Sequence, residues 1–229
     1  MFGRWTRLAA LGAVGLGACA VLAACSPVKV GSAAVVGDQR ITVSSLDTQV
    51  ANFNTAAAPY GSQVQLTSTE VPAAVLSWLI RFQIEDEVAA SAGISVTQAQ
   101  VQQGIASVNS QAQQAAAQNG LRSAQAVFLN AGVSPQMVPA LGQYQAQEIA
   151  FAEQANGGKL PATTAENNTV TAALTKAQCT AAKSLNIQVN PQFGRLDYSQ
   201  YTVVPAPDTL SRPAGAPSPA STTGLAPAC

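Results

Sequence analysis

The segment that most restricts what this chain can fold into runs from Thr69 to Gly93. Val75, Leu76, Leu79, Ile80, Ile84 and Val88 recur at spacings of three and four, with Trp78 and Phe82 between them. So wide an apolar stripe touches neighbours on two sides, and the spacing predicts a central core helix. Thr69-Glu70-Val71-Pro72 opens it and Gly93 closes it. Glu85-Asp86-Glu87 reads as its solvated edge. Successive helical residues point in different directions, so these three do not converge as metal ligands or as an acid/base pair.

The other elements arrange themselves around that helix. Ala33–Val36 and Arg40–Thr42 suit two short strands, because the intervening Gly37-Asp38 tolerates positive φ. Ser44 is the expected cap of a first helix carrying Leu46, Val50 and Phe53, with Asp47 at the capping-box position; Ala56–Gly61 loosens its end. Thr97 caps a helix over 98–118, whose stripe of Val101, Ile105 and Val108 is thin. Such a helix is expected to pack weakly on one side, or to offer that side to a partner. A short helix over 123–130 carries Val127, Phe128 and Leu129. After the turn at 132–135, a fifth helix runs to Ala155 through Leu141, Tyr144, Ile149 and Phe151, with Pro139 in its first turn or bending it. Asn156-Gly157-Gly158 is a break and 161–164 a loop. A further helix over 169–184 contains Leu174 and Cys179. Ile187-Gln188-Val189 alternates like a strand, ended at Asn190-Pro191. The fold class is mainly α, with a small β element formed by the first and last segments of the core.

Composition removes several function classes. The 229 residues contain no histidine, which excludes Ser-His-Asp and Cys-His nucleophilic sites and His-based zinc sites. Gly157-Gly158 has neither a preceding strand nor a following Lys-Ser, so it is no phosphate loop. No basic face suggests nucleic acid. The residues point to no catalytic group, no metal and no cofactor.

The first 24 residues read as an export signal rather than as part of the fold. Arg4 and Arg7 form a basic start, and Leu8 to Ala24 is entirely apolar or small. That run is too short and glycine-rich for a spanning helix, and no charged block follows it. It ends in Leu22-Ala23-Ala24-Cys25-Ser26, which resembles a bacterial lipobox. The resemblance implies cleavage between Ala24 and Cys25, and diacylglyceryl and palmitate-type acylation of Cys25. Two acyl chains make such an anchor stable, where one is marginal. Leu16-Gly17-Ala18-Cys19 is a poorer second candidate because it cuts the apolar core short, and an ordinary secretory signal or an uncleaved anchor is the alternative. Loss of Arg4 and Arg7 leaves nine basic residues against 11 acids.

The mature chain is then expected to comprise a tether over 25–32, one domain over 33–200 and a Pro/Ala/Ser-rich disordered tail over 201–229. Cys179 and Cys229 remain as a pair in an oxidising compartment. A bridge between them would close a loop of about 50 residues, worth roughly 4 kcal/mol in the chain-entropy picture. Two independent cysteines, one buried and one on the tail, are the alternative.

The order strand, turn, strand and capped helix over Ala33–Asp47 resembles the N-terminal chaperone domain of the SurA and PrsA family of extracytoplasmic folding factors. The likeness continues through Leu79, Ile80, Ile84, Glu85 and Val88, then Gly93-Ile94-Ser95-Val96-Thr97. It reaches Val189–Asp197, which is similar to the closing segment of short actinobacterial members. Those members usually show Arg where Gln192 stands and Trp where Leu196 stands. The family often inserts a parvulin prolyl isomerase domain. The space between Ala155 and Thr169 is too short for one, and parvulin sites rely on histidine. The resemblance therefore implies a chaperone without isomerase activity, held on the extracytoplasmic face of the cell membrane through its lipid. Its partners would be unfolded or exported polypeptides.

A holdase needs an apolar groove between helices, and Trp78, Phe82, Phe128, Tyr144 and Phe151 are the candidates to line it, each of which also suits plain core. The competing expectation is a scaffolding lipoprotein that docks one specific envelope partner. Oligomeric state is not legible, since no heptads appear.

Overall fold

In the computed structural model, which describes residues 30–205, six α-helices and two small antiparallel sheets enclose one apolar core. Strands β1 (Ser32–Val36) and β2 (Gln39–Thr42) form a hairpin with Val35 opposite Arg40. Gly37 makes the turn at φ +58°, a region costly to any residue with a Cβ. Helix α1 (Val43–Ala57) follows without a break. Its cap is Thr42, whose hydroxyl accepts from the Ser45 amide at 3.0 Å, so the expectation of Ser44 is corrected by two residues. Thr42 is the last extended residue and is therefore the one whose side chain can reach the first free amides.

Helix α2 (Val71–Ser91) is central as expected, packed against α1, β1 and later elements. Val75, Leu76, Ile80 and Ile84 are buried almost completely; each contributes roughly 1.5–3 kcal/mol relative to exposure. Gly93, at φ +67°, lies just beyond its end. Helix α3 (Gln98–Gln118) carries a full capping box, with Thr97 and Gln100 bonding each other's backbone amides. Then come α4 (Ala124–Asn130), α5 (Val138–Ala155) and α6 (Thr164–Ser184). Pro139 falls in the first turn of α5.

Two expectations about these helices are corrected. α3 is not weakly packed. Gly104 and Gly142 let the backbones of α3 and α5 meet, so close that a Cβ on Gly104 would lie 2.1 Å from the Gly142 carbonyl oxygen. Small residues, with Val108, Ala112 and Ala116 buried, achieve by proximity what large ones achieve by area. α6 starts five residues earlier than the apolar pattern suggests. Thr163 and Glu166 form a second capping box there, although 161–164 reads as a loop.

The chain closes on its own beginning. Strand β3 (Gln188–Val189) pairs with β1, placing Val189 opposite Ala34, and gives the order β2-β1-β3. The Asn190 amide extends the ladder to the Ala33 carbonyl at 2.9 Å. A second hairpin, β4 (Arg195–Asp197) and β5 (Thr202–Val204), packs on α2. It carries the fold to Val204, into residues expected to belong to the tail. The Val203 amide donates to the buried Ser77 hydroxyl at 2.8 Å, so this short strand is fastened to the central helix.

Candidate functional site

Two open grooves flank Arg81 on α2. The larger, about 910 Å³, lies between α2, α5, α6 and the turn of the β4–β5 hairpin. Its walls carry Tyr144, Tyr198 and Tyr201 together with Ile84, Gln178, Cys179 and Lys176. The second, about 710 Å³, runs beside β5, past Leu66, Trp78, Phe193 and Val203, and reaches Pro205. Arg81 lines both. Its guanidinium carbon lies 5.0 Å from the centre of the Trp78 ring, and its Nη2 donates to the Gln200 carbonyl at 2.7 Å. The cation thus ties the central helix to the hairpin and forms the ridge between the grooves.

Trp78, Phe82 and Tyr144 form an aromatic cluster with ring centroids 5.7–6.2 Å apart. Tyr144 stands edge-on to both of the others, the arrangement ring quadrupoles favour. Trp78 is fixed further by its indole N–H, which donates to the Ala131 carbonyl at 2.7 Å. Three of the five aromatic residues expected to line a groove are therefore together. The other two are not. Phe128 is buried in the core beneath α4, and Phe151 lines a separate shallow depression with Val88 and Ala177.

Behind the larger groove lies a carboxylate that does not belong on a solvated edge. Glu85 is 1% exposed. The side chain of Gln178, itself in the groove wall, donates to its Oε2 at 3.1 Å. Its Oε1 has no hydrogen-bond partner among the described residues. Burial pushes the Glu85 carboxyl up to about 7; the Gln178 bond opposes that, and the charges of Glu148 and Asp86 add to it. Burial also raises Glu148, offset in part by its hydrogen bond with the Tyr144 hydroxyl. The reading of Glu85-Asp86-Glu87 as one solvated edge is corrected. Three successive helical positions fan across about 200°, and a helix enclosed by α5, α6 and β5 leaves no face that wide for water. Asp86 does stay exposed, accepting from Gln147 at 2.8 Å and Gln143 at 3.0 Å.

Cys179 is buried on α6 and disulfide-bonded, to a partner outside the described residues. Ala24, Cys25 and Cys229 also lie outside them. Among the described residues no group of three His, Cys, Asp or Glu converges as a metal site, and no helix is long and apolar enough to cross a membrane.

Sequence reasoning missed Tyr198 and Tyr201 because it missed their hairpin. The signal was an Asp197-x-Ser199 turn. Asp197 Oδ1 accepts from both the amide and the hydroxyl of Ser199, a turn that Asp favours. Comparison with protein-family models, curated proteins and solved structures gives no match.

Proposed function

We infer that this chain is an exported lipoprotein, anchored through Cys25, that holds extended segments of unfolded exported polypeptides along the grooves flanking Arg81. Its fold is read as a SurA/PrsA-like chaperone domain without an isomerase. The observation that carries the binding role is the pair of grooves itself: both open and side by side along α2 with Arg81 between them, the larger walled by Tyr144, Tyr198 and Tyr201 and the smaller by Trp78, Phe193 and Val203. Aromatic walls supply contact area at low entropic cost, and mixed polar neighbours such as Gln178 and Lys176 suit peptide amides as well as apolar side chains. The lipobox resemblance supports the anchor and the family resemblance supports the clients. No residue is assigned a catalytic role.

The test is an aggregation assay with residues 26–229 and two unrelated unfolded clients, run under oxidising and reducing conditions because Cys179 stands in a groove wall. Slower aggregation of both clients at equimolar ratio in either condition supports the holdase. No effect in both conditions overturns it in favour of a scaffolding lipoprotein with one dedicated partner, which crosslinking would then identify.

A further inference from the structure

The two grooves flanking Arg81 differ in charge. Among the described residues, the larger carries Arg81 and Lys176 in its wall and no carboxylate, whereas Glu70 stands in the wall of the smaller. Two carboxyls lie behind the larger groove's wall rather than in it. Glu85 is 1% exposed and bonded by Gln178, and Glu148 bonds the Tyr144 hydroxyl. Burial holds both toward their neutral forms, so the wall presents positive charge. Arg81 is half-buried, and one of its five N–H groups reaches the Gln200 carbonyl. Neither Arg81 nor Lys176 forms an ion pair among the described residues. A cation drawn partly out of water without a counter-charge gains most from a carboxylate that arrives later. The turn that frames this groove holds Tyr201 at φ +51°, a rare conformation for a bulky residue, so more than local preference sets the ring there.

We propose that the larger groove selects acid-bearing segments of unfolded polypeptides, with an Asp or Glu side chain held by Arg81 and Lys176 and its neighbours resting on Tyr198 and Tyr201. The proposal rests on the peptide-holding reading above and names the class of segment held. Gln178, Ser199 and Gln200 stand in the same wall and offer amide and hydroxyl groups to a peptide backbone. An anionic membrane surface is the poorer fit. It attracts clusters of about four to eight Lys or Arg residues, and this wall has Arg81 and Lys176 alone. The guanidinium fork can take a carboxylate through two parallel bonds, while the Lys176 ammonium adds an undirected charge. Such contacts at half-open sites are individually small, and the pair is expected to give a preference of about fivefold rather than an absolute requirement.

Fluorescence anisotropy on residues 26–229, which contain the whole described fold, tests this. The probes are three unstructured peptides alike in Leu, Phe and Ser but carrying Glu, Gln or Lys at the same positions. The Glu peptide is expected to bind about fivefold tighter than the Gln peptide, and the Lys peptide more weakly than either. Lys176→Gln, an exposed substitution on α6, is expected to cut the Glu-over-Gln ratio to about twofold. Equal affinity for the Glu and Gln peptides overturns the preference, and a ratio unmoved in Lys176→Gln overturns its assignment to this groove. Displacement of the Glu peptide by phosphatidylglycerol vesicles, but not by phosphatidylcholine vesicles, gives the cations to lipid and overturns it too. Client aggregation measured alongside separates the two readings. Acid preference with unslowed aggregation keeps this site and removes the general holdase; slowed aggregation without preference does the reverse.

Discussion

Gly104 on α3 and Gly142 on α5 face each other at a helix crossing so close that neither position has room for a methyl group. A Cβ on Gly104 would meet the Gly142 carbonyl oxygen at 2.1 Å, and one on Gly142 would meet Ile105 Cγ1 at 2.2 Å. Backbone on the receiving side cannot swing away as a side-chain tip can. Alanine ordinarily stabilises a helix interior relative to glycine by about 1 kcal/mol. Gly104→Ala is expected to do the opposite, costing about 2–3 kcal/mol as the helices are forced apart. Urea denaturation checks it; a variant as stable as the parent would mean that the crossing is looser than described.

Glu85 sets a pH dependence of unusual sign. Its carboxyl is raised to about 7 in the fold, against about 4.3 in an unfolded chain. The fold therefore favours the protonated form, and stability falls as pH rises from about 4.5 to 7, then levels off. Glu148 shifts in the same direction. Glu85→Gln keeps the shape and can still accept from Gln178, so it is expected to stabilise the protein by on the order of 1–3 kcal/mol at pH 8 and to change little at pH 4.5. Thermal unfolding at the two pH values is the measurement. A gain of equal size at both would show that charge is not its cause.

Ser77 holds the second hairpin through a buried hydrogen bond, donating to the Ala73 carbonyl at 2.6 Å while accepting from the Val203 amide. Ser77→Ala leaves that amide buried without a partner, at a cost of about 1–3 kcal/mol. Hydrogen exchange should rise selectively at Val203 and its strand neighbours. Uniform acceleration across the core would instead point to global destabilisation.

Arg81 joins two contacts that lysine cannot reproduce together: a planar face over Trp78 and a directed bond to Gln200. Arg81→Lys is therefore expected to lose nearly as much as Arg81→Ala, about 1–2 kcal/mol, with faster proteolysis at the hairpin turn. Client affinity, where the holdase reading holds, should fall in both variants. Full rescue by lysine would reduce the role of Arg81 to charge alone.

Much of the fold was legible because its signals are local. The stripe of α2 and the Thr97–Gln100 box of α3 lie within a few residues of the structure they specify. The Thr163–Glu166 box was equally local, but Pro161 beside it suggested a loop. Harder to see were features fixed by partners distant in sequence. Nothing near Glu85 announces that Gln178 will cover it, and nothing near Gly104 announces Gly142. The hairpin strands, three residues each, are too short for alternation to declare them. The candidate site was half visible for the same reason: Trp78, Phe82 and Tyr144 stood out as aromatics, whereas Tyr198 and Tyr201 gained meaning only from the hairpin that presents them.

The pairing of β1 with β3 has a consequence for order in time. Ala34 and Val189 are partners in space but separated by about 155 positions in the chain, and a contact of such sequence separation forms late. A polypeptide emerging from its N-terminus, whether from a ribosome or through a membrane, must keep β1 half-paired while all six helices appear. The inner edge of that strand is sealed only when the segment after α6 arrives. Where the lipid-anchor reading holds, that late clasp is made on a strand beginning seven residues after Cys25, so the first sheet would be completed at the tethered end of the chain.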